Sequence, residues 1–125
     1  MKTKTQDLIG PALDWAVELA TGTFWSNNGY FVFKGVLDGS YYIPNPRASY
    51  STDWSQAGPI IERERMELKF TSLRYGWTAR WPAWIPYGEG ETIPAGSGPT
   101  PLIAAMRCYV ASKLGDEVEV PKELL

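Results

Sequence analysis

One short segment of the 125-residue chain concentrates side chains that could hold a ligand: residues 50–56, YSTDWSQ. Ser51 or Thr52 can cap the start of a helix, and Asp53 in its first turn complements the positive end of the helix dipole. A helix N-terminus with spare N–H groups, two hydroxyls and a flanking aromatic ring also suits a phosphate and a base. The ligand-binding candidates in this segment are Tyr50, Ser51, Thr52, Asp53, Trp54 and Gln56.

Two features of this segment keep alternatives open. Asp53 places a negative charge where a phosphate would bind, so the segment suits a ribose hydroxyl or a base amine better. Trp54 is either folded into the core behind an ordinary helix cap or exposed as a platform on which a ligand stacks. The sequence favours the core for Trp54, because Ser, Thr and Asp are routine at helix starts.

A second candidate site combines Arg80 and Trp84. The planar guanidinium of Arg80 could clamp an anion, while the indole of Trp84 offers a stacking surface. The alternative is structural, because the pattern WTARW at residues 77–81 predicts a strand whose apolar face packs in the core and whose arginine points away. A turn-rich stretch upstream adds Trp25 and Asn28 as ligand-binding candidates, although turn chemistry also explains its asparagines.

The composition excludes most catalytic chemistry. The chain has no histidine, which removes the commonest general base, the commonest metal ligand and the usual partner of a Ser or Cys nucleophile. Its single cysteine, Cys108, excludes a thiolate zinc site within one chain. Neighbouring carboxylates in each acidic cluster alternate faces, which does not suit a shared site. We therefore expect no enzyme, no metal and no cofactor, with magnesium and carboxylate chemistry a distant alternative.

Charge and cysteine usage indicate the compartment and the partners. The formal net charge is −2, with both signs interspersed, so binding to duplex nucleic acid is not expected. Apolar runs fall short of the length that a membrane span needs, and no apolar stretch follows the N-terminal lysines as it would in a signal peptide. One cysteine fits a reducing cytoplasm. We expect a cytoplasmic protein with one domain over residues 1–125 and leave a homo-oligomer open.

Three helices are predicted. Residues 11–21 repeat apolar side chains at helical spacing and stop before Gly22. A second helix begins at the Ser51/Thr52 cap, and Gly58-Pro59 either kinks it or makes it start afresh at Pro59. A third helix runs from the Thr100 cap and Pro101 to the stop at Gly115.

Two hairpins are predicted between these helices. Strands near 30–37 and 40–44 flank the turn pair Asp38-Gly39. Residues 66–71 and 77–81 alternate apolar and polar side chains on either side of the turn SLRYG. The Pro- and Gly-rich residues 82–99 are expected to form a long surface loop. The helix–hairpin–helix–hairpin–helix order indicates the α+β class, with three helices around an antiparallel sheet of about four strands in an α/β/α sandwich.

Three segments together carry a family resemblance. ALDWAV at 12–17, YSTDWSQAGPIIERE at 50–64 and TPLIAAMRCYVASKLGDEVEVP at 100–121 resemble the NinX-like proteins of tailed bacteriophages, and more loosely the small phage domains called ABA sandwiches. The stretch GDEVEVP directly after a helix is the most specific part. The resemblance implies a phage origin, the host cytoplasm during infection and the sandwich fold. It assigns no catalytic residue.

Two functions fit these observations. The first is a non-enzymatic phage accessory module that sequesters a small nucleotide-like ligand, such as a host defence signal, near the helix start at 50–56. The second is a protein–protein adaptor or inhibitor that acts on host or phage machinery through exposed Trp residues of the 82–99 loop. Thermal stability should rise with ligand in the first case. In the second case a contiguous apolar patch should be exposed.

Overall fold

The computed structural model of the chain describes residues 2–21, 24–25, 31–32, 48–74, 76–80, 95–120 and 124. Strand β1 and a 3₁₀ turn precede helix α1, and two short strands, β2 and β3, follow it. Helix α2, strands β4 to β6, helix α3 and strand β7 complete the order. The bounds are β1 Lys2–Lys4, the 3₁₀ turn Thr5–Asp7, α1 Gly10–Thr21, β2 Phe24–Trp25, β3 Phe31–Val32, α2 Trp54–Glu64, β4 Glu67–Ser72, β5 Gly76–Arg80, β6 Ala95–Gly98, α3 Pro101–Leu114 and β7 Glu117–Glu119.

Every strand pair in the described residues is antiparallel, and the fold belongs to the α+β class. The largest sheet has the order β4-β5-β6, while β1 pairs with β7 and β2 pairs with β3. The single sheet of about four strands expected from the sequence is therefore not what these strands form. The β1–β7 pair has three residues in each strand, too short to leave an alternating pattern that sequence reasoning could detect.

Helix α3 is the centre of the molecule. It lies on the β4-β5-β6 sheet and also packs against α1 and α2. Buried residues therefore lie around most of the helix and not along one stripe. This pattern is expected of a helix that packs against partners on several sides. Its buried residues are Leu102, Ile103, Ala104, Ala105, Met106, Cys108, Tyr109 and Val110.

The sheet contacts α3 through residues with a small side chain or none. Ala79 pairs with Gly96 across the β5–β6 ladder, and both face the helix. A Cβ atom built on Gly96 would lie 2.3 Å from the carbonyl oxygen of Ala104 and 2.5 Å from the backbone nitrogen of Cys108. Backbone therefore packs directly on backbone here, and Gly96 sets the spacing of the two layers.

Side chains close the outer edge of β6. The Gln6 amide donates to the carbonyl oxygen of Ala95 at 3.1 Å and accepts from the N–H of Ser97 at 3.1 Å. Arg107 donates from Nε to the carbonyl oxygen of Leu8 at 2.8 Å and from Nη1 to that of Ser97 at 2.7 Å. These bonds satisfy groups that an edge strand otherwise leaves open, and they fix the N-terminal turn, β6 and α3 to one another.

The helix predictions are confirmed, with corrections in the second helix. Asp53, and not Ser51 or Thr52, is the N-cap of α2, and the helix continues through Pro59 instead of starting afresh there. Pro59 lacks a backbone hydrogen-bond donor. Ala57 and Ile60, which come before and after it, are buried in the core, and this packing stabilises the helix across the proline. Arg65 ends the helix in a left-handed conformation with φ 52°.

The strand predictions need more correction. The second hairpin is confirmed, with β4 and β5 in the expected places. Residues 24–25, expected in a turn, form β2 and pair with residues 31–32, and the rest of the first hairpin, including Asp38-Gly39, lies outside the described residues. The end of the expected loop 82–99 is strand β6. The sequence AGSG has no strand propensity of its own. The close packing of these residues on α3 holds them in the sheet instead.

No helix within the described ranges has the length and apolar character needed to cross a membrane.

Replacing Gly96 by Ala should destabilise the fold by about 1–3 kcal/mol or more, because the new methyl group meets the backbone of α3. Gly58→Ala is the matched control: a Cβ there meets nothing within 4 Å, and better helix propensity is offset by the following proline. Urea denaturation measures both free energies of unfolding. Equal values for the two variants would contradict the close packing at Gly96.

Thr100→Ala should lower the free energy of unfolding by about 1 kcal/mol, because the Thr100 hydroxyl accepts the N–H of Ile103 at 3.1 Å and caps α3. Thr100→Ser keeps that oxygen and should stay near the wild-type value. Thermal unfolding of the two variants side by side measures the difference. An alanine variant as stable as the serine variant would mean that the cap contributes nothing.

Candidate functional site

The first part of the 50–56 segment is attached to α1 by two carboxylates. The hydroxyl of Tyr50 donates to Oε2 of Glu18 at 2.7 Å, and the backbone N–H of Ser51 donates to Oδ1 of Asp14 at 2.8 Å. Ser51 and Glu18 are buried, with 3% of each exposed. The polar atoms that the sequence assigned to a ligand thus hold the chain together at this point.

The second part of the segment is closed by a helix cap. Oδ1 of Asp53 accepts the backbone N–H of Ser55 at 2.9 Å and its hydroxyl at 2.6 Å, and the Gln56 side chain accepts the N–H of Ser49 at 2.7 Å. The bonds from Ser55 hold the pKa of the Asp53 carboxyl below its ordinary value, so it is ionised at neutral pH. A negative cap already occupies the positive end of this helix.

Trp54 is on the surface. As the first residue of α2 it is 54% exposed, whereas the sequence favoured the core for it. The buried positions of α2 are Ala57 and Ile60, and Trp54 precedes Ala57 by three residues without sharing its burial. Thr52 beside it is exposed as well. The aromatic ring of this segment is therefore presented to solvent, while the hydrogen-bonding groups behind it are engaged.

Arg80 lies away from this surface. Its Nη2 contacts Oε2 of Glu67 at 3.3 Å on the polar face of the β4–β5 ladder. Ala79 and Leu68, which pair in the same ladder, face α3 on the opposite side. The structure thus places Arg80 as the alternating pattern predicted, with its side chain pointing away from the helix layer, and it does not bring Arg80 together with the 50–56 segment.

The remaining candidates are reached in part. Trp25 belongs to β2, where its backbone pairs with Phe31. Asn28 and Trp84 lie outside the described residues, as does most of the 82–99 loop. Their assignment to a ligand stays a prediction.

Burial raises the pKa of two groups, the partly buried Tyr50 and the buried Cys108. Burial, with a hydrogen bond to Glu18, raises the pKa of Tyr50 well above the ordinary value of a phenol. Burial raises the pKa of the Cys108 thiol to about 12, so it packs as a neutral small group. Among the described residues, no cluster of three or more His, Cys, Asp or Glu side chains could hold a metal ion.

The structure also contains a groove that the sequence did not reveal. Its volume is about 470 Å³, and it lies where the β4–β5 turn meets the approach to α3. The residues that line it come from three separate parts of the chain, and no motif connects them. They are Phe70, Ser72, Leu73, Arg74, Gly76, Ser97, Gly98, Pro99 and Arg107.

Comparison with known protein families gives a match to the family described as Bacteriophage P22, NinX, over residues 4–113. That span includes α1, α2 and α3 up to Lys113, together with Trp54 and the residues that line the groove. The chain belongs to the NinX family. No match was found among curated proteins. The NinX assignment confirms the resemblance drawn from the three sequence segments, and it assigns no chemistry to any residue.

The partly buried contact of Asp14 with Ser51 leads us to expect that the stability of this NinX protein depends on pH. Burial is the largest cause of the raised pKa of Asp14 and outweighs the lowering hydrogen bonds from Ser51. A carboxyl whose pKa is higher in the folded state stabilises the fold while protonated and loses that contribution as pH rises through its folded pKa. We predict that wild type loses stability relative to Asp14→Asn, which keeps an acceptor for Ser51, as the pH rises above 3.8, the ordinary pKa of an aspartate.

Urea denaturation of both proteins at several pH values measures the difference in free energy of unfolding. A difference that is constant across this range, or that shifts toward wild type as pH rises, would contradict burial as the dominant influence on Asp14.

Proposed function

We propose that this NinX-family chain is a non-enzymatic phage accessory protein that binds a partner protein through the surface around Trp54. The observation that carries the proposal is the exposure of Trp54 at 54%. Tryptophan contributes disproportionately to protein interfaces when its ring enters an apolar pocket of the partner. We propose the cytoplasm of the infected cell as the setting and the α/β/α sandwich as the arrangement of the whole chain.

The anatomy of α2 supports a docking surface. Ala57 and Ile60 pack against the core. Trp54, Ser55, Pro59 and Glu62 are exposed to solvent. One turn after Trp54 comes Gly58, where an added Cβ would meet nothing within 4 Å. The indole is therefore flanked by a low surface rather than by a bulky neighbour. A large aromatic ring surrounded by small and polar residues has the composition of an interface centre with its rim.

Charge favours a protein over a phosphorylated ligand at this surface. Asp53 is ionised beside Trp54, and Glu62 adds a second exposed carboxylate along the helix. A phosphate would be repelled by these groups, whereas Lys or Arg around a partner's apolar pocket would be attracted. The polar atoms of Tyr50 and Ser51, which a nucleotide would need, are engaged with α1. The adaptor hypothesis therefore has more support here than sequestration of a nucleotide.

Trp54→Ala tests this function. At 54% exposure the substitution should change the free energy of unfolding by about 1 kcal/mol or less, against the 3–5 kcal/mol expected of a core tryptophan. Capture of a phage or host protein by the wild type should be lost. Ile9→Ala is the control, because Ile9 is 56% exposed elsewhere on the surface and its loss should leave capture intact.

Asp53→Asn separates the two kinds of occupant. Asparagine caps a helix as well as aspartate, so the fold should be retained. Loss of the charge should weaken the binding of a basic partner protein and make that binding less sensitive to salt. Tighter binding of a nucleotide by this variant, with that binding lost in Trp54→Ala, would instead favour the ligand hypothesis. A captured partner that Trp54→Ala still binds would contradict the proposal.

A further inference from the structure

The groove beside the β4–β5 turn has a lining of one charge sign. Arg74 and Arg107 contribute two guanidinium groups, and no carboxylate is present among the described residues that line it. The exposed Asp7 exerts an electrostatic influence on Arg107, but Asp7 does not line the groove. The charge of the groove lining therefore favours an anion, whereas Asp53 and Glu62 are acidic residues near Trp54 and along α2.

Arg107 is held in place before any ligand arrives. Its Nε and Nη1 donate to the carbonyl oxygens of Leu8 and Ser97, and Nη2 takes no part in either bond. Partial burial lowers its pKa, but a guanidinium remains protonated at any physiological pH. A fixed cation loses little conformational freedom when it binds an anion. Arg74, which is exposed in the β4–β5 turn, lines the same groove.

Phe70 supplies a flat apolar surface in the same cavity. It is 48% exposed, and its ring stands on the ring of Trp77 with centroids 5.4 Å apart at 64°. This edge-to-face contact orients the Phe70 ring. Phe70, Trp77 and Gly98 are successive partners across β4, β5 and β6, so the ring and the backbone of Gly98 lie in one row. A planar group could stack there while its anionic end reaches the arginines.

We propose that this groove binds a free mononucleotide, with the phosphate between Arg74 and Arg107 and the base on Phe70. A phosphate monoester carries close to two negative charges at neutral pH, which two guanidinium groups balance. Arginine matches phosphate oxygens with paired hydrogen bonds. The volume of about 470 Å³ falls within the range of small-molecule sites. This site is separate from the Trp54 surface, and either proposal can fail without the other.

The test is isothermal titration of the purified chain with adenosine, guanosine, cytidine and uridine 5′-monophosphates. Arg74→Gln should weaken binding about tenfold or more, because a hydrogen bond to a charged group contributes about 1.5–3 kcal/mol. Phe70→Ala should weaken the binding of the nucleotide and leave the binding of inorganic phosphate unchanged. Lys69→Gln is the matched control, because it also removes one positive charge. Lys69 precedes Phe70 in β4, and its side chain lies on the opposite face of the sheet, so this variant should bind nucleotide as wild type does.

Several results would overturn the proposal. One is the absence of binding by any of the four nucleotides at millimolar concentration. Another is an equal loss of nucleotide affinity in Lys69→Gln and Arg74→Gln, which would mean that the net charge of the protein and not the position of Arg74 determines binding. Tighter binding of a 5′-phosphorylated single-stranded oligonucleotide than of the mononucleotide would assign the groove to a strand end. Trp54→Ala should leave the titration unchanged, and a loss there would place the ligand at the other surface.

Discussion

The packing of α3 on β6 without intervening side chains is the constraint on which the rest of the structure depends. At Gly96 the strand backbone touches the helix backbone, so the two layers lie closer than any residue with a Cβ would allow. The short distance buries α3 against the sheet on one side and against α1 and α2 on the others. It also brings Arg107 within reach of the carbonyl groups of Ser97 and Leu8. The edge closure and one wall of the groove follow from this single approach.

The segment before α2 illustrates how a fold can consume groups that look functional. Tyr50, Ser51, Asp53 and Gln56 have the side chains of a binding site, yet each takes part in a hydrogen bond that attaches or caps this part of the chain. The reason is that a loop laid over a buried helix must satisfy its polar atoms locally. Thr52 and the indole of Trp54 are the exposed side chains among the candidates of this segment. Removing polar groups from availability changes which kind of partner the surface suits.

The two candidate surfaces differ in electrostatic character. Asp53 and Glu62 give the Trp54 surface negative charge, whereas Arg74 and Arg107 give the groove positive charge. A chain with a small net charge can carry both because the charges are segregated by the fold. Neither surface needs histidine, a metal or a catalytic pair. The two proposals therefore concern different chemistry on different parts of the fold.

Local signals in the sequence determined much of this protein. The Thr100 cap and the Gly115 stop of α3, the alternation of β4 and β5, the α+β class and the NinX resemblance depend on neighbouring residues, and the structure or the family comparison bears them out. The cap of α2 is an exception, because Asp53 caps that helix where the sequence predicted Ser51 or Thr52. The tertiary structure alone decided the rest. Strand β6 and the β1–β7 pair arise from contacts between distant segments, and AGSG has no strand propensity of its own. The exposure of Trp54 and the presence of Arg74 and Arg107 in one groove likewise depend on long-range packing, which a pattern of neighbouring residues does not show.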